Sequence, residues 1–182
     1  GESGSGKSTL LNIIGLLLKP TAGAINILDY QNVKPNTRQA MLILRNDISY
    51  IFQNYALIEN DTVKENLLLS KKYRKNFKEK ELEESLEKVG ISKEYLGHKV
   101  CELSGGEQQR IAIARTMLKP CEIILADEPT GNLDTSNKEK IIHLFKELKK
   151  EGKTIICVTH DEEMAKSADR IIDLKKERGR EK

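Results

Sequence analysis

An α/β fold, with a parallel sheet core interrupted by a helical insertion, is what this 182-residue sequence predicts, and three observations carry the expectation. The runs Ile123-Ile124-Leu125-Ala126 and Thr154-Ile155-Ile156-Cys157-Val158 are short and continuously apolar, the character of strands buried on both faces. Helical patterns alternate with such runs at both ends of the chain. Between the ends lies a long block of helical period.

Each element has a local reason. Leu10-Leu11-Asn12-Ile13-Ile14 reads as a helix, and the turn Pro20-Thr21-Ala22-Gly23 precedes a strand candidate at Ala24–Leu28. Arg38 to Arg45 reads as a helix and Ile48 to Phe52 as a strand. From Val63 to about Gly97 the chain reads as helical; Leu82, Leu86 and Val89 form one apolar stripe, and Gly90 is placed to close it. Ile111 to Leu118 is a helix followed by Pro120. Asn137 to Lys150 is another, with Ile141, Leu144, Phe145 and Leu148 on its inner face. Glu162 to Ala168 is a last helix, and Ile171 to Leu174 a last short strand.

Composition excludes several classes. A content of 38% hydrophobic and 32% charged residues suits one globular domain with a charged surface. The apolar stretches fall short of the ~20 residues that a membrane-spanning helix needs. Cys101, Cys121 and Cys157 form no C-x-x-C pair, so neither a zinc nor a disulfide framework is expected, and a reducing compartment suits them. The net charge of +3 equals that of the tail Lys175–Lys182, with five basic and two acidic residues. The body is neutral, which argues against a nucleic-acid backbone as partner. Lys71 to Lys80 is locally basic before Glu81, Glu83, Glu84 and Glu87 reverse the sign; this reads as a solvated helix face in preference to a docking surface.

The chemistry begins at the first residue. Gly1-Glu2-Ser3-Gly4-Ser5-Gly6-Lys7-Ser8-Thr9 is a complete G-x-x-x-x-G-K-[ST] phosphate-binding loop. Its glycines let the backbone wrap so that N–H groups point at phosphate oxygens. Lys7 supplies a mobile charge for the β- and γ-phosphates, and the Ser8 hydroxyl is placed to ligate Mg²⁺. The following helix turns its positive end to the anion. Such a loop follows a strand, and the chain begins at the loop, so the first strands of the sheet are expected to be missing from it. Further on, Ile123–Ala126 ends in Asp127-Glu128. Asp127 at the strand tip suits a hard cation, and Glu128 is assigned to orient and polarise an attacking water. An ordinary strand ending in a polar turn would present the same pattern. Leu103-Ser104-Gly105-Gly106-Glu107-Gln108-Gln109-Arg110 opens a helix with a hydroxyl and exposed N–H groups. Two phosphate sites and one phosphate loop suggest that the second site serves another molecule's nucleotide.

This octapeptide resembles the signature of the ABC-type ATPases, lying between a Walker A loop and a Walker B Asp-Glu. The resemblance runs from Gly1 to about Leu174 and implies a P-loop NTPase core at 1–53 and 119–174, a helical subdomain at about 54–118 and a charged tail at 175–182. It also implies residue roles. Gln53 matches the Q-loop glutamine, which touches Mg²⁺ and the water. Gly131-Asn132-Leu133-Asp134 matches the D-loop, which crosses the dimer interface. His160 matches the switch histidine on the γ-phosphate, with Asp161-Glu162 after it in the family pattern. Lys7, Gln53, Glu128 and His160 would be catalytic. Gly1 to Thr9 and Ser104, Gly105 and Gly106 would bind ATP. Ser8, Gln53 and Asp127 would hold Mg²⁺.

The string Asp127-Glu128-Pro129-Thr130-Gly131-Asn132-Leu133-Asp134 is similar to the subgroup serving lipoprotein-releasing, macrolide and bacteriocin or peptide exporters. The partners implied are a second ATPase subunit, the same or different, and a transmembrane permease that holds the chain at the cytoplasmic face of the membrane. Other readings stay open: a truncated, inactive remnant, or a soluble ATPase outside transport. A chromosome-maintenance relative would need long heptads between loop and signature, and the 96 residues between Lys7 and Ser104 hold none.

Overall fold

The structure, a computed structural model, describes residues 4–74, 76–131 and 133–174. Among these, three parallel strands form one sheet: β1 (Ile48–Ile51), β2 (Ile123–Asp127) and β3 (Thr154–Val158), in the order β1-β2-β3. The register pairs Ile48 with Ile123, and Asp127 with Val158. Successive residues of β2 face opposite sides, and both sides are apolar. Leu125 packs into a cluster with Leu11, Leu16, Ala40, Ile43 and Ile48, whereas Ile124 and Ala126 join Ile111, Ile113, Ile141, Leu144 and Leu148. Burial on two faces is why this strand reads as a continuous apolar run.

Among the described residues the α-helices are α1 (Lys7–Ile14), α2 (Arg38–Asn46), α3 (Val63–Leu68), α4 (Lys80–Lys88), α5 (Gly105–Leu118), α6 (Thr135–Lys150) and α7 (Glu162–Lys166); α1, α2, α5 and α6 pack on the sheet, and α3 and α4 pack on α5. Most begin at a side-chain cap, which satisfies N–H groups the helix itself leaves unpaired. The Thr37 hydroxyl accepts from Ala40 N, and Thr62 with Glu65 closes a capping box on α3. Asp134 caps α6 and Asp161 caps α7. Gly90 ends α4 at φ +67°, and Ile91 N returns to Leu86 O at 2.9 Å. That closure needs the left-handed conformation that glycine adopts at no steric cost.

Three sequence expectations are corrected. Ala24–Leu28 is not a strand; Ile27 and Tyr30 bridge each other across a tight turn, and among the described residues no neighbouring strand pairs with the segment. Residues 171–173 form no strand, and Ile171 and Ile172 are exposed. The block 63–97 is broken into α3, a 3₁₀ turn at Leu69–Tyr73, α4 and a 3₁₀ turn at Lys93–Gly97. Lys71–Lys80 is consequently no continuous helix face. Its charges pair locally instead, Arg74 and Lys64 with Glu81 and Glu79 respectively, and Lys80 with Glu84 at 3.2 Å. Within α4, Leu82 and Leu86 are buried as the stripe required, and so is Val89 at its end. The tail at 175–182 lies outside the described residues.

Candidate functional site

The phosphate loop is built by local backbone conformation. Gly4 (φ +76°) and Gly6 (φ +90°) both take the left-handed region, and Gly6 precedes the first turn of α1, where Leu10 N donates to Gly6 O. Two contacts dock α1 on the sheet. A Cβ on Gly15 would lie 2.9 Å from Leu125 Cδ1 and 3.2 Å from Leu11 O, so the helix end sits close against β2. The Tyr50 hydroxyl donates to Asn12 Oδ1 at 2.7 Å. The helix N-terminus thus points at a cavity of about 620 Å³ lined by Gly4, Gly6, Lys7, Ser8, Thr9, Gln53, Glu128 and His160. Ser5 sits half-buried between the glycines and is not among the lining residues. Gly1, Glu2 and Ser3 lie outside the described residues.

Both strand-end acids meet this loop. Ser8 Oγ donates to Asp127 Oδ1 at 3.0 Å. Glu128 has φ +45°, a left-handed conformation that ends the strand, while its N–H still donates to Val158 O. Its carboxylate is nearly buried and has two sides. Oε1 faces Lys7 Nζ at 3.9 Å. Oε2 accepts from Thr159 Oγ1 and from His160 N, both at 3.2 Å, and lies 2.9 Å from His160 Nδ1. Nδ1 faces the carboxylate, and the other ring nitrogen is left for a ligand. The acids perturb their neighbours: burial and then the Asp127 charge push the Tyr50 phenol up to about 12. Burial first, then Glu128, Asp127 and Asp161, pushes the Cys157 thiol up to about 12. Cys157 is therefore an inert thiol beside the site, as its place in β3 suggests.

Oxygen donors at Ser8 and Asp127, with the Gln53 amide nearby, fit a hard divalent cation. Among the described residues no group of three His, Cys, Asp or Glu side chains forms a metal cage. A cation here would complete its shell with phosphate oxygens and water, which is the expected behaviour of Mg²⁺.

Gln53 also borders a second hollow of similar size, with Phe52, Asn54, Tyr55, Glu59, Gln108 and Asp127. The segment after it turns through Tyr55 (φ +63°) and Ala56 (φ +49°). Arg115 of α5 grips both, Nη1 on Ala56 O at 2.7 Å and Nη2 on Tyr55 O at 3.0 Å. Sequence reasoning missed Arg115, because its partners are carbonyls that no pattern marks.

Ser104, Gly105 and Gly106 do not reach this cavity. They open α5 at a separate place, with Ser104 and Gly105 exposed. The Ser104 hydroxyl donates to Glu107 Oε2 at 2.6 Å, and Ser104 N donates to the same oxygen at 2.8 Å. These bonds hold the Glu107 carboxyl below its ordinary range, the hydroxyl foremost. Gly106 is buried against α6, where Asn137 ties α5 to the cap of its own helix: its Oδ1 accepts from Arg110 Nη1 at 2.6 Å and its Nδ2 donates to Asp134 Oδ2 at 2.8 Å. Gly131 is exposed, and Asn132 lies outside the described residues.

Among the described residues no helix is long and apolar enough to cross a membrane. Residues 1–131 match the family described as ABC transporter. The chain is 44% identical over 179 residues to the uncharacterized ABC transporter ATP-binding protein YvrO of Bacillus subtilis, covering 96% of this chain and 77% of that protein. It is 42% identical to the macrolide export ATP-binding/permease protein MacB of Aggregatibacter actinomycetemcomitans, covering 96% of this chain but 28% of that one. The uncharacterized ABC transporter ATP-binding protein MJ0796 of Methanocaldococcus jannaschii has been solved as a dimeric cassette, and again as a dimer in a post-hydrolysis state bound to ADP and Pi. Both superpose with TM-score 0.85 over 94% of this chain and 77% of theirs, at 42% and 40% identity. The chain therefore belongs to the ABC transporter family, as an ATP-binding, ATP-hydrolysing cassette.

Proposed function

We propose that Glu128 is the group that polarises the attacking water in this ATPase, with Lys7 and His160 as its partners. The observation that carries the reading is the position of the Glu128 carboxylate, between Lys7 and the His160–Thr159 turn at the mouth of the phosphate loop. Loop N–H groups and Lys7 bind the β- and γ-phosphates. Water attacks the γ-phosphorus in line, the bond to the bridging oxygen breaks, and the water's proton passes toward Glu128. The leaving ADP oxygen and the γ-phosphate oxygens carry the negative charge, which Lys7 and the end of α1 offset. The ring nitrogen of His160 turned away from Glu128 would face the γ-phosphate and, when it carries a proton, donate to one of its oxygens. Ser8, Asp127 and Gln53 would hold Mg²⁺, which would supply charge neutralisation for the triphosphate.

The Ser104–Gly106 turn lies apart from the phosphate loop of its own chain, with Ser104 and Gly105 exposed, which supports a head-to-tail pair in which it closes on the partner's nucleotide. In that arrangement 1–53 with 119–174 acts as the nucleotide-binding core and about 54–118 as the signature-bearing subdomain. The likeness to MacB supports a permease partner of exporter type at the cytoplasmic face of the membrane. Size-exclusion chromatography with light scattering tests the reading on Glu128→Gln. Millimolar Mg-ATP is expected to shift this variant from monomer to dimer. A variant that stays monomeric, or one that turns over at the wild-type rate, removes Glu128 and the sandwich from the account.

A further inference from the structure

Resting on the reading of Glu128 and His160 above, we propose that Lys138 is a positioning residue for hydrolysis: by pinning Asp161 it fixes the turn that aims Thr159 and His160 at Glu128. Lys138 lies in the first turns of α6, far in sequence from the switch histidine. Its ammonium reaches Asp161 Oδ2 at 2.7 Å, and the Asp161 side chain is 7% exposed. A nearly buried carboxylate with one close cationic partner is the setting in which an ion pair holds its geometry, unlike pairs in open solvent.

Every bond Asp161 makes fixes the same turn. Its Oδ1 accepts from Glu163 N at 2.9 Å and Met164 N at 3.1 Å, starting α7. Its Oδ2 also accepts from Thr130 Oγ1 at 3.4 Å, and Thr130 is fully buried two residues after Glu128. Its own N–H donates to Thr159 Oγ1 at 3.0 Å, and that hydroxyl donates onward to Glu128 Oε2 at 3.2 Å. A path of adjacent polar contacts therefore runs from Lys138 through Asp161 and Thr159 to the carboxylate, with His160 held between. Without the ammonium, Asp161 keeps its helix cap but loses the anchor that fixes it against α6. The turn can then shift, and a shift of the order of 1 Å at a reacting group is costly in rate. Lys138 is not among the described residues that line the phosphate-loop cavity, so nucleotide affinity has no reason to change.

The position also explains how the turn is set by the rest of the molecule. The neighbouring Asn137 ties the same turn of α6 to Arg110 of the signature helix. A displacement of α5 against α6 thus has a direct route to the Asp161 turn.

The test compares wild type, Lys138→Met and Lys138→Arg in the full chain, with two readouts. The first is steady-state phosphate release beside the Kd for a fluorescent ATP analogue. The second is the His160 imidazole resonance in the nucleotide-free protein, assigned with His160→Gln. Lys138→Met is expected to lower kcat about tenfold with Kd unchanged, to shift or broaden the His160 resonance, and to be restored by Lys138→Arg. An unmoved His160 resonance in Lys138→Met overturns the proposal, whatever the activity. So does a wild-type kcat, or a loss in which kcat and Kd worsen together. If wild type releases no phosphate while Lys138→Met still moves His160, the hydrolytic reading fails and the positioning contact stands.

Discussion

Adding one methyl group at Gly106 should loosen the junction between the signature helix and α6. A Cβ there would sit 2.8 Å from Asn137 Cγ, 2.9 Å from its Nδ2 and 3.0 Å from its Oδ1. Ordinary contact needs about half an ångström more, so Asn137 must retreat. It is not free to do so, since Arg110 donates to it at 2.6 Å and it donates to Asp134 at 2.8 Å. Overpacking of this kind costs roughly 1–3 kcal/mol, and weakening one charge-assisted bond costs about 1 kcal/mol more. Replacing glycine in a helix returns at most about 1 kcal/mol. The net is a destabilisation of about 2 kcal/mol, or a fall of about 4–8 °C in the melting temperature for a chain of this size. Gly105→Ala is the internal control. Its Cβ would meet only the Tyr55 hydroxyl, at 3.1 Å, the far end of a side chain that can swing away. Thermal melts by circular dichroism decide. Gly106→Ala melting with wild type, or Gly105→Ala melting lower than Gly106→Ala, would refute the argument that Asn137 is an immovable wall.

Other outcomes follow from the same geometry. Glu128→Gln keeps the shape that faces Lys7 and His160 but cannot take a proton, so kcat should fall by about 10²–10⁴ with ATP binding retained, read by phosphate release and nucleotide titration. The Lys138 ammonium, foremost, holds the Asp161 carboxyl below its ordinary value of 3.8. A depressed folded-state pKa stabilises above the unfolded value and ceases to do so as pH falls through the folded one. The melting-temperature gap between wild type and Asp161→Asn should therefore be widest above the ordinary value of 3.8 and close as pH falls below it. Arg115→Met deletes two charge-assisted bonds to Tyr55 and Ala56 carbonyls. Limited proteolysis should then cut within residues 52–58 sooner than in wild type.

The parts of this molecule that could be read in advance are those whose physics is local. The phosphate loop needs left-handed glycines ahead of a helix, and the signature turn needs a serine cap with a glutamate three residues on. Both are satisfied within a few neighbouring residues. β2 was legible for a related reason, because burial on two faces leaves an unbroken apolar run; β3 carries the same run but is only half-buried, with Thr154 exposed, so its expected burial on both faces is corrected. Ala24–Leu28 and Ile171–Leu174 share that apolar character yet are not strands. A strand is completed by a hydrogen-bonded neighbour, which composition does not supply. The helical block 63–97 was misjudged at its breaks, since the period of Leu82, Leu86 and Val89 says nothing about where 3₁₀ turns interrupt it.

By itself the sequence determined the alternation of apolar runs and helices, the two glycine-bearing turns and the acids at the end of β2, because each is encoded within one turn or one strand. Tertiary structure alone decided which groups meet. It turned Glu128 through a left-handed residue to face Lys7 and His160, and set Lys138 on Asp161 and Asn137 under Gly106. Those partners stand more than twenty residues apart, and only the packing of α1, α5 and α6 around one parallel sheet brings them together.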